Sequence, residues 1–305
     1  MGFEIRDSET GIGTIITIVF ERRTTGSVVC PACGALVGVR DEKCYTCGRA
    51  NPGLWGFGPA LRKLGADFGF VPLVIGASSV LYAVTLLMSG STIFRGGGML
   101  SLLSPSLPIL LLFGASGAIP VFTYGGWWTV LSAGWLHGSL MHIIFNMWAL
   151  RQLGPTLIDI MGPARTVIIY TVAGVTGFLL SSLAGRYLGG LPLPSFLRGA
   201  GFTVGASAPI FGMVGALVHY GSQGSSMVKR WAMSYVIGAV IFGLLMPGID
   251  NYAHAGGFAG GYLMSAFLNP MTRERGDHLL VALICLGLTL LAIVASVLHG
   301  LPLFR

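Results

Sequence analysis

Four cysteines near the N-terminus, in Cys30-Pro-Ala-Cys33-Gly and Cys44-Tyr-Thr-Cys47-Gly, form two CxxC pairs with ten residues between them. Four thiolates so spaced can close a tetrahedral zinc site, and the ion supplies folding free energy that so small a module cannot draw from a core. The glycine after each pair permits a tight backbone turn at the metal. Two disulfides, a redox pair, or iron in place of zinc are the competing chemistries. Paired CxxC spacing reads as a metal site, and a reducing compartment argues against disulfides. With all four positions filled by protein, the zinc is structural. Cys285 stands alone in the last apolar run and reads as a small buried apolar residue.

A second set of reactive groups lies inside apolar runs, where ionisable residues are costly and suggest function. In His137-Gly-Ser-Leu-Met-His142-Ile-Ile-Phe-Asn146, His142 and Asn146 stand four apart and share one helix face. Another run opens with Gly205-Ala206-Ser207-Ala208-Pro209-Ile210-Phe211-Gly212. Pro209 suits a first helical turn, which puts Ser207 near the helix N-terminus. A third opens with Ala253-His254-Ala255-Gly256-Gly257-Phe258-Ala259-Gly260-Gly261. Ser207 with His254 makes a nucleophile and base, since a serine hydroxyl attacks only when a neighbour takes its proton. The nearest carboxylate, Asp250, lies beyond the start of its span, so the expected unit is a dyad without cofactor. The oxyanion of a tetrahedral intermediate also needs donors; His142, Asn146 and the Ser207 backbone N–H are the candidates. The bland alternatives are a serine bonded to its own helix and histidines that pack, gate or relay protons.

The remaining sequence must place these groups. The chain has 305 residues, 53% hydrophobic and 10% charged, with 47 glycines and a mean hydropathy of +0.78. Ordinary soluble domains carry roughly 25% charge. The fold class expected is an all-α polytopic membrane helix bundle with a small N-terminal zinc ribbon. Seven spans are read, each near the roughly 20 residues a bilayer needs: about Val71–Met88, Gly138–Leu153, Ala164–Leu183, Phe202–Gly221, Trp231–Met246, Tyr252–Leu268 and Leu279–Leu298. Met99–Phe113 is apolar but interrupted by Pro105 and Pro108, so Ser89 to about Trp128 reads as a long interfacial loop. Residues 1–68 form an N-terminal region carrying the zinc module at about 28–50, and residues 69–305 form the membrane domain. Gly11–Phe20 follows acidic residues and lacks a cleavage site, reading as a short strand rather than a secretory signal. Gly2 lacks the Ser/Thr of a myristoylation signal.

Charge placement sets direction. The net charge of +7 is scattered in short gaps between apolar runs, which disfavours nucleic acid as a partner. With the N-terminus cytoplasmic, the inside ends carry Arg62, Lys63, Arg151, Arg165, Lys229, Arg230, Arg273 and Arg275, against Arg95, Arg186, Arg198 and Arg305 outside. The positive-inside rule favours that orientation, in a cell membrane. Spans two, four and six then run the same way, and His142, Ser207 and His254 share one shallow depth near the outer face. Glycine stripes 256/260 and 257/261 let span six approach span four closely. Phe211, one turn after Ser207, then lies beside the His254 imidazole.

The His137–Asn146 run, the Gly205-Ala206-Ser207 motif and Ala253-His254 followed by Gly257 and Gly261 resemble the rhomboid family of intramembrane serine proteases. The similarity covers about Val71 to Leu298 and implies a six-helix core with one further C-terminal helix. It implies Ser207 as nucleophile, His254 as base, and His142 with Asn146 as oxyanion donors. No catalytic cofactor is implied. The implied partners are the lipid bilayer and transmembrane proteins, cut in or near their membrane segments. The loop before span two looks like the family's first loop, partly in the outer leaflet. Two positions depart from the family pattern: Ala208-Pro209 stands where Gly usually follows the serine, and Trp127-Trp128-Thr129 lacks the usual Trp-Arg pair. The first bears on the oxyanion hole and the second on loop stability. An inactive family member that binds or escorts membrane clients is the alternative expectation. A transporter is disfavoured because no repeat with broken midplane helices is found. The zinc module lies outside the resemblance, and nothing in the sequence sets an oligomeric state.

Overall fold

A computed structural model of the chain describes residues 22–30, 33–56, 69–94, 101–246, 248–272, 274 and 276–301. The expected strand at 11–20 and the loop charges Arg62, Lys63, Arg95, Arg273, Arg275 and Arg305 lie outside the described residues. The chain divides into two compact units, Met1–Gly69 and Phe70–Arg305.

In the first unit, β1 (Ser27–Val29) pairs antiparallel with β2 (Leu36–Gly38), with Val28 opposite Val37. Alternation turns Val28 and Val37 inward, where with Val39 they pack against Cys30 and Cys44. An antiparallel bridge between Lys43 and Ala50 closes the second turn. So small an apolar cluster cannot offset the ordering of its own chain, which is the usual reason for a metal staple.

The second unit is helical. Its α-helices are α1 (Phe70–Ser89), α2 (Leu107–Leu112), α3 (Thr129–Ser132), α4 (Leu140–Met161), α5 (Pro163–Leu188), α6 (Ser207–Ser222), α7 (Ser226–Leu245), α8 (Asn251–Leu268) and α9 (Gly276–Gly300). The seven long ones fall on the seven apolar runs, with three differences. Helix α4 continues past Pro155 to Met161, because Leu153, Leu157, Ile158 and Met161 keep the helical period and are all buried. Helix α6 begins only at Ser207, five residues later than the apolar run. The proline-containing stretch, read as loop, includes the short helix α2, whose Pro108 sits harmlessly in the first turn.

Among the described residues, four helices, α1, α5, α7 and α9, are long and apolar enough to cross a membrane by length and composition. The other three differ from these, each for its own reason. Twelve of the sixteen residues of α6 are buried, and at 1.5 Å per residue it is only about 24 Å long, short of the roughly 30 Å hydrocarbon core. Helix α4 carries Arg151, Gln152 and Asp159 in its second half, and α8 carries four glycines where it meets its neighbours.

The α6–α8 seam is made of backbone. A methyl added at Gly257 would lie 2.1 Å from the Ala208 carbonyl oxygen, and one at Gly261 would lie 2.0 Å from that of Gly212. On the opposite side of α8, a methyl at Gly256 would lie 2.7 Å from the Thr176 carbonyl oxygen of α5. Small residues therefore let α8 lie against both neighbours at once. The far end of α8 is closed by buried Arg165 of α5, whose guanidinium donates to the carbonyls of Leu268 (3.1 Å), Asn269 (2.9 Å) and Thr272 (2.8 Å). These are the groups a helix terminus leaves unsatisfied.

Candidate active site

Helix α6 starts at Ser207 because the chain before it cannot be helical. Gly205 has φ +131°, and a methyl there would lie 2.5 Å from His142 Nε2, so only glycine fits between the helix start and that imidazole. The Gly205 N–H donates to the Ala133 carbonyl (2.9 Å), and the Ala206 N–H donates to Nε2 of fully buried His137 (3.5 Å). These two bonds fix the peptide that leads into Ser207. Upstream, Thr203 pairs with Ser116 of the loop before α4 in a two-way backbone bridge (3.0 and 2.8 Å).

His254 lies near the N-terminus of α8, whose cap is Asp250. The Asp250 carboxylate accepts from the Ala253 N–H (3.0 Å) and from the Ser181 hydroxyl (2.5 Å). It is therefore committed to capping, while His254 Nε2 lies 2.9 Å from Ser207 Oγ. The Phe211 ring stacks on the imidazole at 4.2 Å between centroids and 14° between planes, fixing its orientation. Among the described residues, Ser207 is the sole side-chain hydrogen-bond partner of His254.

His142 and Asn146 reach the same place from α4. Ser139 caps that helix by accepting from the His142 N–H (3.3 Å). The Gly138 N–H donates to His142 Nδ1 (3.3 Å), which leaves the proton of a neutral ring on Nε2, beside Gly205. Asn146 is buried, and its Nδ2 makes no hydrogen bond while lying 3.7 Å from the same added methyl at Gly205. An unpaired buried amide is costly, and here it faces the serine region. A cavity of about 800 Å³ opens over these groups, lined by Ser207, His254, His142 and Asn146 and walled by α4, α7 and both flanking loops.

All four residues expected at a catalytic site thus border one cavity. His137 and Ser181 position them, and their roles were not legible in sequence; the one available signal was that His137 belongs to the same histidine-bearing run as His142. Ala208, which departs from the family's glycine, is fully buried among Ala133, Phe178 and Ala253 rather than facing the cavity.

In the first unit, Cys30, Cys33, Cys44 and Cys47 bring all four Sγ atoms within 4.8 Å of one another. The Cys30–Cys47 and Cys33–Cys44 separations are 3.8 and 3.6 Å, close to the edge of about 3.8 Å for a zinc tetrahedron with bonds of about 2.3 Å. The two turns have the same hydrogen bonds: Gly34 N–H to Cys30 O and Gly48 N–H to Cys44 O, at 2.9 and 2.8 Å. Both glycines have positive φ, +77° and +73°. Burial opposes ionisation of Cys44, yet the backbone N–H groups of Cys47 and Thr46 bring its thiol down to about 6. At Cys33 the Ala35 N–H favours the thiolate, but burial and the surrounding sulfurs prevail and carry it to about 12. A divalent cation is what lets such a cluster hold every thiolate at once.

Comparison with known proteins matches residues 124–271 to the rhomboid domain model. The chain carries a rhomboid domain. It is 32% identical over 190 residues to Rhomboid protease GluP of Bacillus subtilis, covering 61% of this chain and 34% of that protein. It is also 32% identical over 173 residues to RHOMBOID-like protein 4 of Arabidopsis thaliana, covering 55% and 40%. Inactive RHOMBOID-like protein 8 of Arabidopsis thaliana matches at 31% over 142 residues, covering 43% and 35%. The chain thus spans well under half the length of these relatives. The rhomboid match includes α4, α6 and α8, and so every residue of the cavity cluster.

Proposed function

We propose that this rhomboid-family membrane protein is an intramembrane serine endopeptidase. The observation that carries the reading is the 2.9 Å contact of Ser207 Oγ with His254 Nε2 inside a cavity that also holds His142 Nε2 and Asn146 Nδ2. His254 takes the Ser207 proton as Oγ attacks a peptide carbonyl. His142 Nε2–H, Asn146 Nδ2–H and the Ser207 N–H receive the oxyanion. His254 then returns the proton to the departing amine, and water repeats the sequence on the acyl-enzyme to release the second fragment.

The substrates are transmembrane or membrane-proximal segments of other proteins, locally unwound because a helical peptide bond is shielded by its own hydrogen bonds. Residues 69–305 are the proteolytic domain. Residues 1–68 form an accessory region whose Cys30, Cys33, Cys44 and Cys47 hold structural zinc. The charge distribution favours a cytoplasmic N-terminus in the cell membrane and a cavity near the outer face. The similarity to a relative described as inactive supports a second reading, a client-binding protein without hydrolysis.

The deciding test uses the full chain in liposomes with a panel of single-span proteins and a serine-directed fluorophosphonate. Wild type should cleave at least one member and label, and Ser207→Ala and His254→Ala should do neither. Labelling that persists in Ser207→Ala overturns the nucleophile. Client binding without any product or labelling in wild type favours the second reading.

A further inference from the structure

Helix α9 follows the rhomboid match, yet it reaches back to the loop before α4. The Trp128 indole Nε1–H donates to Ser296 Oγ (3.0 Å) across 168 residues of chain. Buried Ser296 in turn donates to the Ala292 carbonyl (2.8 Å), so its hydroxyl is satisfied in both senses. One turn further, His299 sets its ring edge-on against Trp128, with centroids 5.5 Å apart. A methyl at Gly114 would lie 2.5 Å from Ser296 Oγ, and one at Gly300 would lie 2.9 Å from Leu112 Cδ1. Loop and helix are therefore in full contact at three places.

The same loop segment faces the cavity on its other side. Leu107, Leu110 and Ala115 line it, and the last two lie within two residues of Leu112 and Gly114, which meet α9. The segment is also bolted internally, through Ser132 Oγ to the Gly114 carbonyl (2.8 Å) and Thr129 Oγ1 to Ser116 Oγ (3.2 Å). It behaves as one plate between α9 and the cavity.

We propose that α9 is a working part of the site: Ser296 and His299 are positioning residues that hold Trp128, and through it the cavity wall formed by residues 107–115. The consequence for cleavage rests on the endopeptidase reading; the anchoring itself does not. Through Trp128, α9 supplies the hold on this loop.

The test compares wild type, Trp128→Phe, Ser296→Ala and the double variant as full chains in liposomes, with amide hydrogen exchange and cleavage kinetics. Each single change should speed exchange of residues 107–118 about tenfold, the scale of one net hydrogen bond, leaving α6 and α8 unchanged. KM for a transmembrane substrate should rise about threefold to tenfold, with kcat and fluorophosphonate labelling within about twofold. The double variant should match the worse single one, because one bond has been removed twice. His299→Phe should keep wild-type exchange and His299→Ala should not. Unchanged exchange, additive effects, or labelling that falls together with cleavage overturns the proposal. If wild type neither labels nor cleaves, the protease reading fails, and the exchange arm alone judges the anchor.

Discussion

Helices α6 and α8 meet in two serine–histidine contacts with the residue types exchanged. At their N-terminal ends α6 supplies Ser207 and α8 supplies His254, 2.9 Å apart. At their C-terminal ends α6 supplies His219 and α8 supplies Ser265, 3.0 Å apart. The distances match and the wiring does not. Gln223 Nε2 donates to His219 Nε2 (2.9 Å), so the ring proton sits on Nδ1 and is given to Ser265. The Ser265 hydroxyl has acceptors of its own in the Ala216 carbonyl (3.4 Å) and Met161 Sδ (3.8 Å). A histidine that donates to a serine is in no position to take its proton. Ser265 is also fully buried, whereas Ser207 and His254 border the large cavity. A short Ser–His distance is therefore half a statement; the other ring nitrogen, the hydroxyl hydrogen and the adjoining void complete it.

The largest expected effect separates the two pairs outright. Ser207→Ala or His254→Ala should lower fluorophosphonate labelling by at least about 10³-fold. Ser265→Ala should leave it within about threefold; equal losses would erase the distinction. Next in size, Asn146→Ala should reduce kcat about 10²-fold to 10³-fold with labelling geometry intact, the usual cost of an oxyanion donor. A fall in KM affinity alone would remove that role. Ser265→Ala should lower thermal stability by about 1 kcal/mol, because the His219 Nδ1–H loses its acceptor inside the bundle. No change in the unfolding midpoint would show that contact to be idle. Smallest of all, chelation should abolish the ribbon's protection from proteolysis while leaving labelling of Ser207 unchanged. Metal affinity should also fall as pH is lowered from 8 to 6, since protons compete for the thiolates; affinity that is flat with pH would exclude thiolate ligation.

The helical architecture was readable because lipid demands long apolar runs, and the glycine stripe in the sixth span was enough to pair it with the fourth. The CxxC spacing likewise foretold a cluster of four sulfurs. Other features were hidden for physical reasons. The end of α4 is one of them, since Arg151, Gln152 and Pro155 look like a terminus unless the burial of Leu157, Ile158 and Met161 is known. The start of α6 is another, since nothing in Phe202–Ala206 announces the backbone bridge to Ser116. The Ser265–His219 contact is hidden too, because single polar residues deep in apolar runs carry no mark of which helix they will face. The bond from Trp128 to Ser296 joins positions 168 residues apart, and a single sequence holds no record of such a meeting.

At the seam beside Gly257 and Gly261, main-chain atoms of two rods rest directly on each other with no side chain as filler. The spacing between the two main chains that carry the hydroxyl and the imidazole is consequently set by atomic radii. Repacking elsewhere in the bundle cannot reset it, and a squeeze from the surrounding bilayer finds nothing soft there to compress.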